Sequence, residues 1–170
     1  MKQYERVRSN NRVSGVFDDS AGCLFVTQGN ECFPLLSRNP ATVRKILIVD
    51  DNASFRRSLK AFLCDQFAHF AIAEAENGAS AMRTIDLARP DLIFMDIKLP
   101  GENGLVLTRK IKTIYSPAIV ILTSYDAVEY REAASACGAD YFLAKDAASA
   151  AEVSRLVESY LPGSSSSPPI

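Results

Sequence analysis

The sequence predicts an α/β domain, a parallel sheet with helices packed on both faces. Two observations carry that expectation. Short apolar runs alternate about five times with segments whose apolar residues recur at helical spacing, and the connections are short. Two of the runs, "DLIFM" (91–95) and "AIVILT" (118–123), are almost wholly apolar, as strands covered on both faces require. A third observation points to a site. "DLIFMDIKLPG" (91–101) ends its apolar run on a carboxylate, Asp96, where another valine would serve a core equally well.

The elements follow in order. "KILIV" (45–49) is the first strand, short and rich in β-branched residues. "SFRRSLKAFLCDQF" (54–67) is the first helix, with Phe55, Leu59, Phe62 and Leu63 at helical spacing. "FAIAEA" (70–75) is the second strand, and the Ala-rich "GASAMRTIDLA" (78–88) is the second helix. "DLIFM" is the third strand and "GLVLTRKIKTI" (104–114) an amphipathic helix. "AIVILT" is the fourth strand, and "AVEYREAASACG" (127–138) is a helix closed by Gly138. "DYFLA" (140–144) is the fifth strand and "AASAAEVSRLVESYL" (147–161) the last helix.

Three regions result. Residues 1–43 form an N-terminal extension to which no function is assigned. Within it "GVFDDSAGCLFV" (15–26) reads either as a small hairpin turning at 19–22 or as disordered chain, and Pro34 and Pro40 suggest an irregular connection. Residues 44–161 form the α/β domain. Residues 162–170, rich in Ser and Pro, read as a disordered tail.

Composition excludes several classes. The formal net charge is -1 and no stretch is dense in Lys and Arg, which argues against a direct grip on nucleic acid. Cys23, Cys32, Cys64 and Cys137 contain no Cys-x-x-Cys pair, and His69 is the single histidine, so zinc-ligand spacing is absent. Reduced, mostly packed thiols are expected, although Cys23 and Cys32 could meet across a hairpin. The N-terminus lacks an apolar signal core, and no apolar run approaches the roughly 18 residues of a membrane span. A cytoplasmic protein with no membrane contact is expected.

The chemistry gathers where strands end. The first strand runs into Asp50 and Asp51, and the third into Asp96. In a parallel sheet the binding crevice lies outside the carboxyl ends of the strands. Three carboxylates there repel one another, and a hard divalent cation such as Mg²⁺ would resolve the conflict. The fourth strand ends at Thr123 and the fifth at Lys145, adding a hydroxyl and an ammonium to the same rim. Each residue has a plainer reading: Asp50-Asp51-Asn52 as a helix cap, Asp96 as a turn residue before Pro100-Gly101, Thr123 as a β-former, Lys145 as a solvated cation. Together they make a complete phosphoryl-transfer site, in which acids hold a metal, one acid attacks, and hydroxyl and ammonium receive phosphoryl oxygens.

"ILIVDD", "DLIFMDIKLPGENGL", "VILTS" and "GADYFLAKD", in that order, resemble the receiver domain of bacterial two-component response regulators over roughly residues 44–161. The resemblance implies a flavodoxin-like, doubly wound fold with five parallel strands in the order 2-1-3-4-5. It implies that Asp96 is the phosphoacceptor, charged by a histidine kinase or histidine phosphotransfer protein. It implies Mg²⁺ held by Asp50, Asp51, Asp96 and the backbone carbonyl of Lys98. Thr123 and Phe142 are implied as the switch pair, although Phe142 also suits a plain core position, and Lys145 as the cation that pairs with phosphate. Lys98 and Tyr125 take positions that tune the lifetime of the phosphorylated form. A signalling role rather than a metabolic enzyme follows, with an unknown downstream protein partner and a phosphorylation-dependent homodimer as a further expectation.

One departure stands out. The family's lysine is commonly followed by proline in a cis peptide, whereas Asp146 follows Lys145 here. A cis bond without proline costs about 3 kcal/mol, so this connection is expected trans, or cis under strain. Rival readings fare worse. A haloacid-dehalogenase-type phosphatase wants a second acid two residues after its nucleophile, where this chain has Lys98. A nucleotide-binding loop wants glycines, and "DDNASF" has none. A degenerate receiver acting as a scaffold stays open, as does a receiver fragment of a DNA-binding regulator. A stand-alone receiver is the favoured expectation, because no basic helices follow the last helix.

Overall fold

The computed structural model describes residues 43–161 and, ahead of them, the backbone of three strands: β1 (Ser14–Asp18), β2 (Cys23–Gln28) and β3 (Glu31–Pro34). These pair antiparallel in the order β1-β2-β3. Asp18 pairs with Cys23, so the segment read as a hairpin carries two paired strands; its turn, 19–22, lies outside the described residues, as does the tail 162–170. Cys32 stands opposite Thr27 rather than Cys23.

The α/β domain runs β4 (Lys45–Val49), α1 (Ala53–Gln66), β5 (Ala71–Ala75), α2 (Gly78–Ala88), β6 (Leu92–Met95), α3 (Gly104–Ile114), β7 (Ala118–Thr123), α4 (Val128–Ala136), β8 (Tyr141–Ala144), α5 (Ala150–Tyr160). The five strands are parallel in the order β5-β4-β6-β7-β8, which is 2-1-3-4-5 counted within the domain. The register sets Val49 beside both Ala75 and Met95, and Thr123 beside Ala144, so the carboxyl ends of the strands share one rim.

Alternation along each strand sends side chains to two separate layers. Ile46, Ile48, Leu92, Phe94, Val120 and Leu122 pack on one face with Leu59 and Leu63 of α1 and Val153, Leu156 and Val157 of α5. Leu47, Val49, Ile93, Met95, Ile119 and Ile121 pack on the other with Ala81 and Ile85 of α2, Leu107 and Ile111 of α3 and Ala134 of α4. Each such aliphatic side chain contributes about 1.5–3 kcal/mol by burial. Phe94, 1% exposed in the central strand, anchors the first layer; Phe94→Ala would cost about 3–5 kcal/mol through the cavity left behind.

Side-chain caps explain where most helices begin. Asn52 accepts from the backbone of Ser54 and Phe55, Asn77 and Ser80 form a reciprocal capping box, Asn103 accepts from Leu105, and Ser149 accepts from Glu152. Ser149 accounts for one difference from the expected spans. α5 starts at Ala150, not 147, because the chain from Ala144 to Ala148 is still turning, with Ala147 N–H donating to the Ala144 carbonyl. α4 ends at Ala136 and has no side-chain cap at its start. Gly138 lies just past its end at φ +87°, a conformation that costs glycine little. Cys137 is buried, but Cys64 is exposed on the outward face of α1, so the expectation of packed thiols fails there. Among the described residues no peptide is cis, and Lys145–Asp146 is trans. No helix among them is long and apolar enough to cross a membrane.

Candidate functional site

The site is assembled by backbone bonds that continue the sheet one residue beyond its strands. The Asp50 N–H donates to the Ala75 carbonyl (3.1 Å), the Asp96 N–H to Val49 (2.8 Å), and the Lys145 N–H to Thr123 (2.8 Å). Each chemical group is thus held by its neighbouring strand. Asp50 and Asp96 are buried, Thr123 is fully buried, and Asp51 is exposed. One carboxylate oxygen from each of Asp50, Asp51 and Asp96 lies within 4.8 Å of the others.

Lys145 joins them. Its Nζ is 2.6 Å from Asp50 Oδ2 and 2.9 Å from Asp96 Oδ2. Asp50 Oδ1 accepts from the Asn52 backbone at 2.9 Å. Asp96 Oδ1 is buried and accepts from no group among the described residues. Burial pushes the Asp50 carboxyl above the usual carboxylate range, and hydrogen bonds from Lys145 and Asn52 only partly offset this. Burial also works against the Lys145 ammonium, but its hydrogen bonds to Asp50 and Asp96 prevail and raise its pKa. Three acids facing one cation leave a surplus of negative charge and oxygen-only donors. That donor set suits a hard divalent cation such as Mg²⁺, and the unpartnered Asp96 oxygen leaves it an open ligand.

The loop after Asp96 is tightly built. Gly104 N–H donates to the Ile97 carbonyl at 2.8 Å, and Lys98 and Asn103 form an isolated bridge. This closure fixes the backbone that carries the Lys98 carbonyl. The Lys98 side chain is exposed; its amine donates to the Tyr125 hydroxyl and sits 4.5 Å from that ring. The hydrogen bond to Tyr125 raises the Lys98 pKa. Tyr125 in turn donates its backbone N–H to Thr123 Oγ1 at 3.4 Å and meets Tyr130 at 5.6 Å between ring centroids.

The structure therefore brings Asp50, Asp51, Asp96 and Lys145 into one cluster, with Thr123 on the adjoining strand end and Lys98 linked to Tyr125. Phe142 is half-buried against the α2–α4 layer, with the Arg131 guanidinium 4.7 Å from its ring. Arg131 is also paired with Asp126. Sequence reasoning missed Arg131, and no residue pattern marked it. It also missed Arg56, whose guanidinium donates to the Asp50 carbonyl at 2.6 Å, and Phe55, whose ring lies 4.7 Å from Lys145 Nζ. Gly104 did carry a signal: a glycine in the first turn of an amphipathic helix suggests close backbone approach. A Cβ there would lie 1.9 Å from the Asp96 carbonyl oxygen.

The response regulator receiver domain family matches residues 46–157. The chain belongs to that family. Receivers are the signalling domains of two-component systems. The transcriptional regulatory protein YdfI of Bacillus subtilis is 36% identical over 107 residues, which are 63% of this chain and 50% of that protein. ResD, another transcriptional regulatory protein of Bacillus subtilis, is 36% identical over 101 residues, 59% of this chain and 41% of ResD. The chain thus spans about half the length, or less, of these curated relatives. Among solved structures, the BeF3-activated N-terminal receiver domain of Klebsiella pneumoniae RstA superposes with a TM-score of 0.64 at 28% identity, covering 70% of this chain and 99% of that one. A CheY-like receiver domain from Methanospirillum hungatei JF-1 gives 0.65 at 24% identity, covering 71% and 94%, a likeness of fold.

Proposed function

We propose that this receiver takes a phosphoryl group onto Asp96 from a histidine kinase or histidine phosphotransfer protein, and that the charge change alters a face read by a protein partner. The observation that carries this reading is the state of the Asp96 carboxylate. One oxygen is held by Lys145, while the other is buried and unpartnered beside two more acids. A buried acceptor without a donor is a costly arrangement unless chemistry uses it.

Asp50, Asp51, Asp96 and the Lys98 carbonyl would hold Mg²⁺, which when bound neutralises charge gathering on the phosphoryl oxygens. Asp96 attacks phosphorus in line through one carboxylate oxygen while the other faces the cation; the P–N bond to the donor imidazole breaks, and the imidazole leaves with its electron pair and takes up a proton. The Lys145 ammonium then pairs with a phosphoryl oxygen, and the Thr123 hydroxyl donates to another. Phe142 moves into the space that Thr123 leaves, and this shift presents partners with a changed face, including a second copy of the chain in a phosphorylation-dependent dimer. Water later cleaves the acyl phosphate, with Lys98 and Tyr125 flanking its path. The reading makes the protein a cytoplasmic signalling component, acting through residues 44–161.

Incubation with phosphoramidate and Mg²⁺, followed by intact mass, tests this. The native chain should gain one phosphoryl group and Asp96→Asn none. If neither gains it, or both do, a phosphorylation-independent scaffold becomes the better account.

A further inference from the structure

We propose that Phe55 is a positioning residue of the acceptor site, its ring backing the Lys145 ammonium and holding it against the two carboxylates. The inference rests on the reading of Asp96 as acceptor. An ammonium has three N–H donors and no acceptor. Lys145 points two of its sides at oxygens, Asp50 Oδ2 at 2.6 Å and Asp96 Oδ2 at 2.9 Å. The Phe55 ring centroid lies 4.7 Å from the same nitrogen, within the distance at which a ring face attracts a cation. The Lys145 side chain is only 13% exposed, so the ring replaces solvent on that side.

The ring is held in place from two directions. The Phe55 N–H donates to Asn52 Oδ1 at 3.1 Å, and Asn52 directly follows the Asp50-Asp51 pair. One turn of chain therefore fixes both the acids and the cover over the lysine. On its other side Phe55 packs against the core layer shared by α1 and α5. A plain core role would need only apolar volume, which leucine supplies. The placement over Nζ needs a ring face. During transfer, negative charge grows on oxygens that Lys145 must meet, and a cation kept from swinging into water meets them without reorganisation.

The test compares phosphoramidate labelling rates at saturating Mg²⁺, read by intact mass. Phe55→Leu keeps apolar volume and removes the ring face, and labelling should slow about three- to tenfold. Phe55→Tyr restores the ring face and should return the rate to near that of the native chain. In a Lys145→Met background, Phe55→Leu should have no further effect, since the residue acts through the lysine. A leucine variant as fast as the native chain overturns the proposal, as does a tyrosine variant as slow as leucine, or equal slowing in the Lys145→Met background. Placement is read separately by NMR without any phosphodonor. The Lys145 ε-methylene protons should show an upfield ring-current shift in the native chain and in Phe55→Tyr, and lose it in Phe55→Leu. Absence of that shift in the native chain overturns the placement. Failure of the native chain to label, with the ring-current shift present, instead overturns the acceptor reading.

Discussion

Gly104→Ala tests whether the backbone around Asp96 is as closely built as the geometry requires. The added Cβ would lie 1.9 Å from the Asp96 carbonyl oxygen, 2.9 Å from its carbon and 3.2 Å from the Ile97 Cα. Ordinary carbon–oxygen contact begins at about 3.3 Å, so something must move by roughly 1.4 Å. Both neighbours are backbone. The Asp96 amide is bonded to β4 and cannot step aside cheaply. The start of α3 must move instead and break the 2.8 Å bond from Gly104 N–H to the Ile97 carbonyl. Overpacking of this kind costs about 1–3 kcal/mol, and the lost hydrogen bond about 1 kcal/mol more. The expected loss is about 2–4 kcal/mol, seen as a melting temperature lower by about 10 °C. Gly78→Ala is the control. Its Cβ would meet Glu102 Oε2 at 2.9 Å, the end of a flexible side chain, and alanine suits a helix better than glycine, so the change should be neutral or slightly stabilising. Urea and thermal unfolding followed by circular dichroism measure both. If Gly104→Ala unfolds within about 0.5 kcal/mol of the native chain, or Gly78→Ala loses as much as Gly104→Ala, the close-approach argument is wrong.

Three further outcomes are expected. Excess Mg²⁺ should raise the melting temperature of the native chain by mass action and shift Asp51→Asn much less; equal shifts would place the cation elsewhere. Burial pushes the Tyr115 phenol up to about 12 from an ordinary 10.0. Between those values the folded chain keeps a proton that the unfolded chain has lost, so the stability is fully present below pH 10 and is lost as pH rises toward 12. Tyr115→Phe should flatten that decline in urea midpoints, and an unchanged slope would contradict it. Lys98→Ala and Tyr125→Ala should each shorten the phosphorylated lifetime by admitting water, and together do less than the product of their separate effects, because they remove one shared contact. Fully multiplicative effects would mean that the two act independently.

Much of the domain was legible because its signals were local. "KILIV", "GASAMRTIDLA", "GLVLTRKIKTI" and "AIVILT" match their elements residue for residue. Their boundaries are set by caps and turns written in the same few residues. The end of α4 and the start of α5 were missed by two to three residues, where a turn competes with helical propensity. The acids and Lys145 were legible for another reason: strand ends in a parallel sheet share a rim, so order in the chain predicts neighbourhood in space. Phe55 and Arg131 were not. Each looks like an ordinary helix residue, and only the packing of α1 against the site, or of α4 against Phe142, gives it a second contact. Cys64 shows the same limit in reverse: it lies next to the inward-facing Leu63, and a single step along the helix turns it outward.

The three rungs that extend the ladder beyond β4, β6 and β8 have a lasting effect. Each working group is gauged from an adjacent strand by one bond of 2.8–3.1 Å rather than from the tip of a long loop. Positional error therefore does not build up along the connections, and the loops can lengthen or change sequence while the spacing of the rim stays put. The ordering of that rim is completed once, when the sheet forms, and needs no rebuilding when anything later binds there.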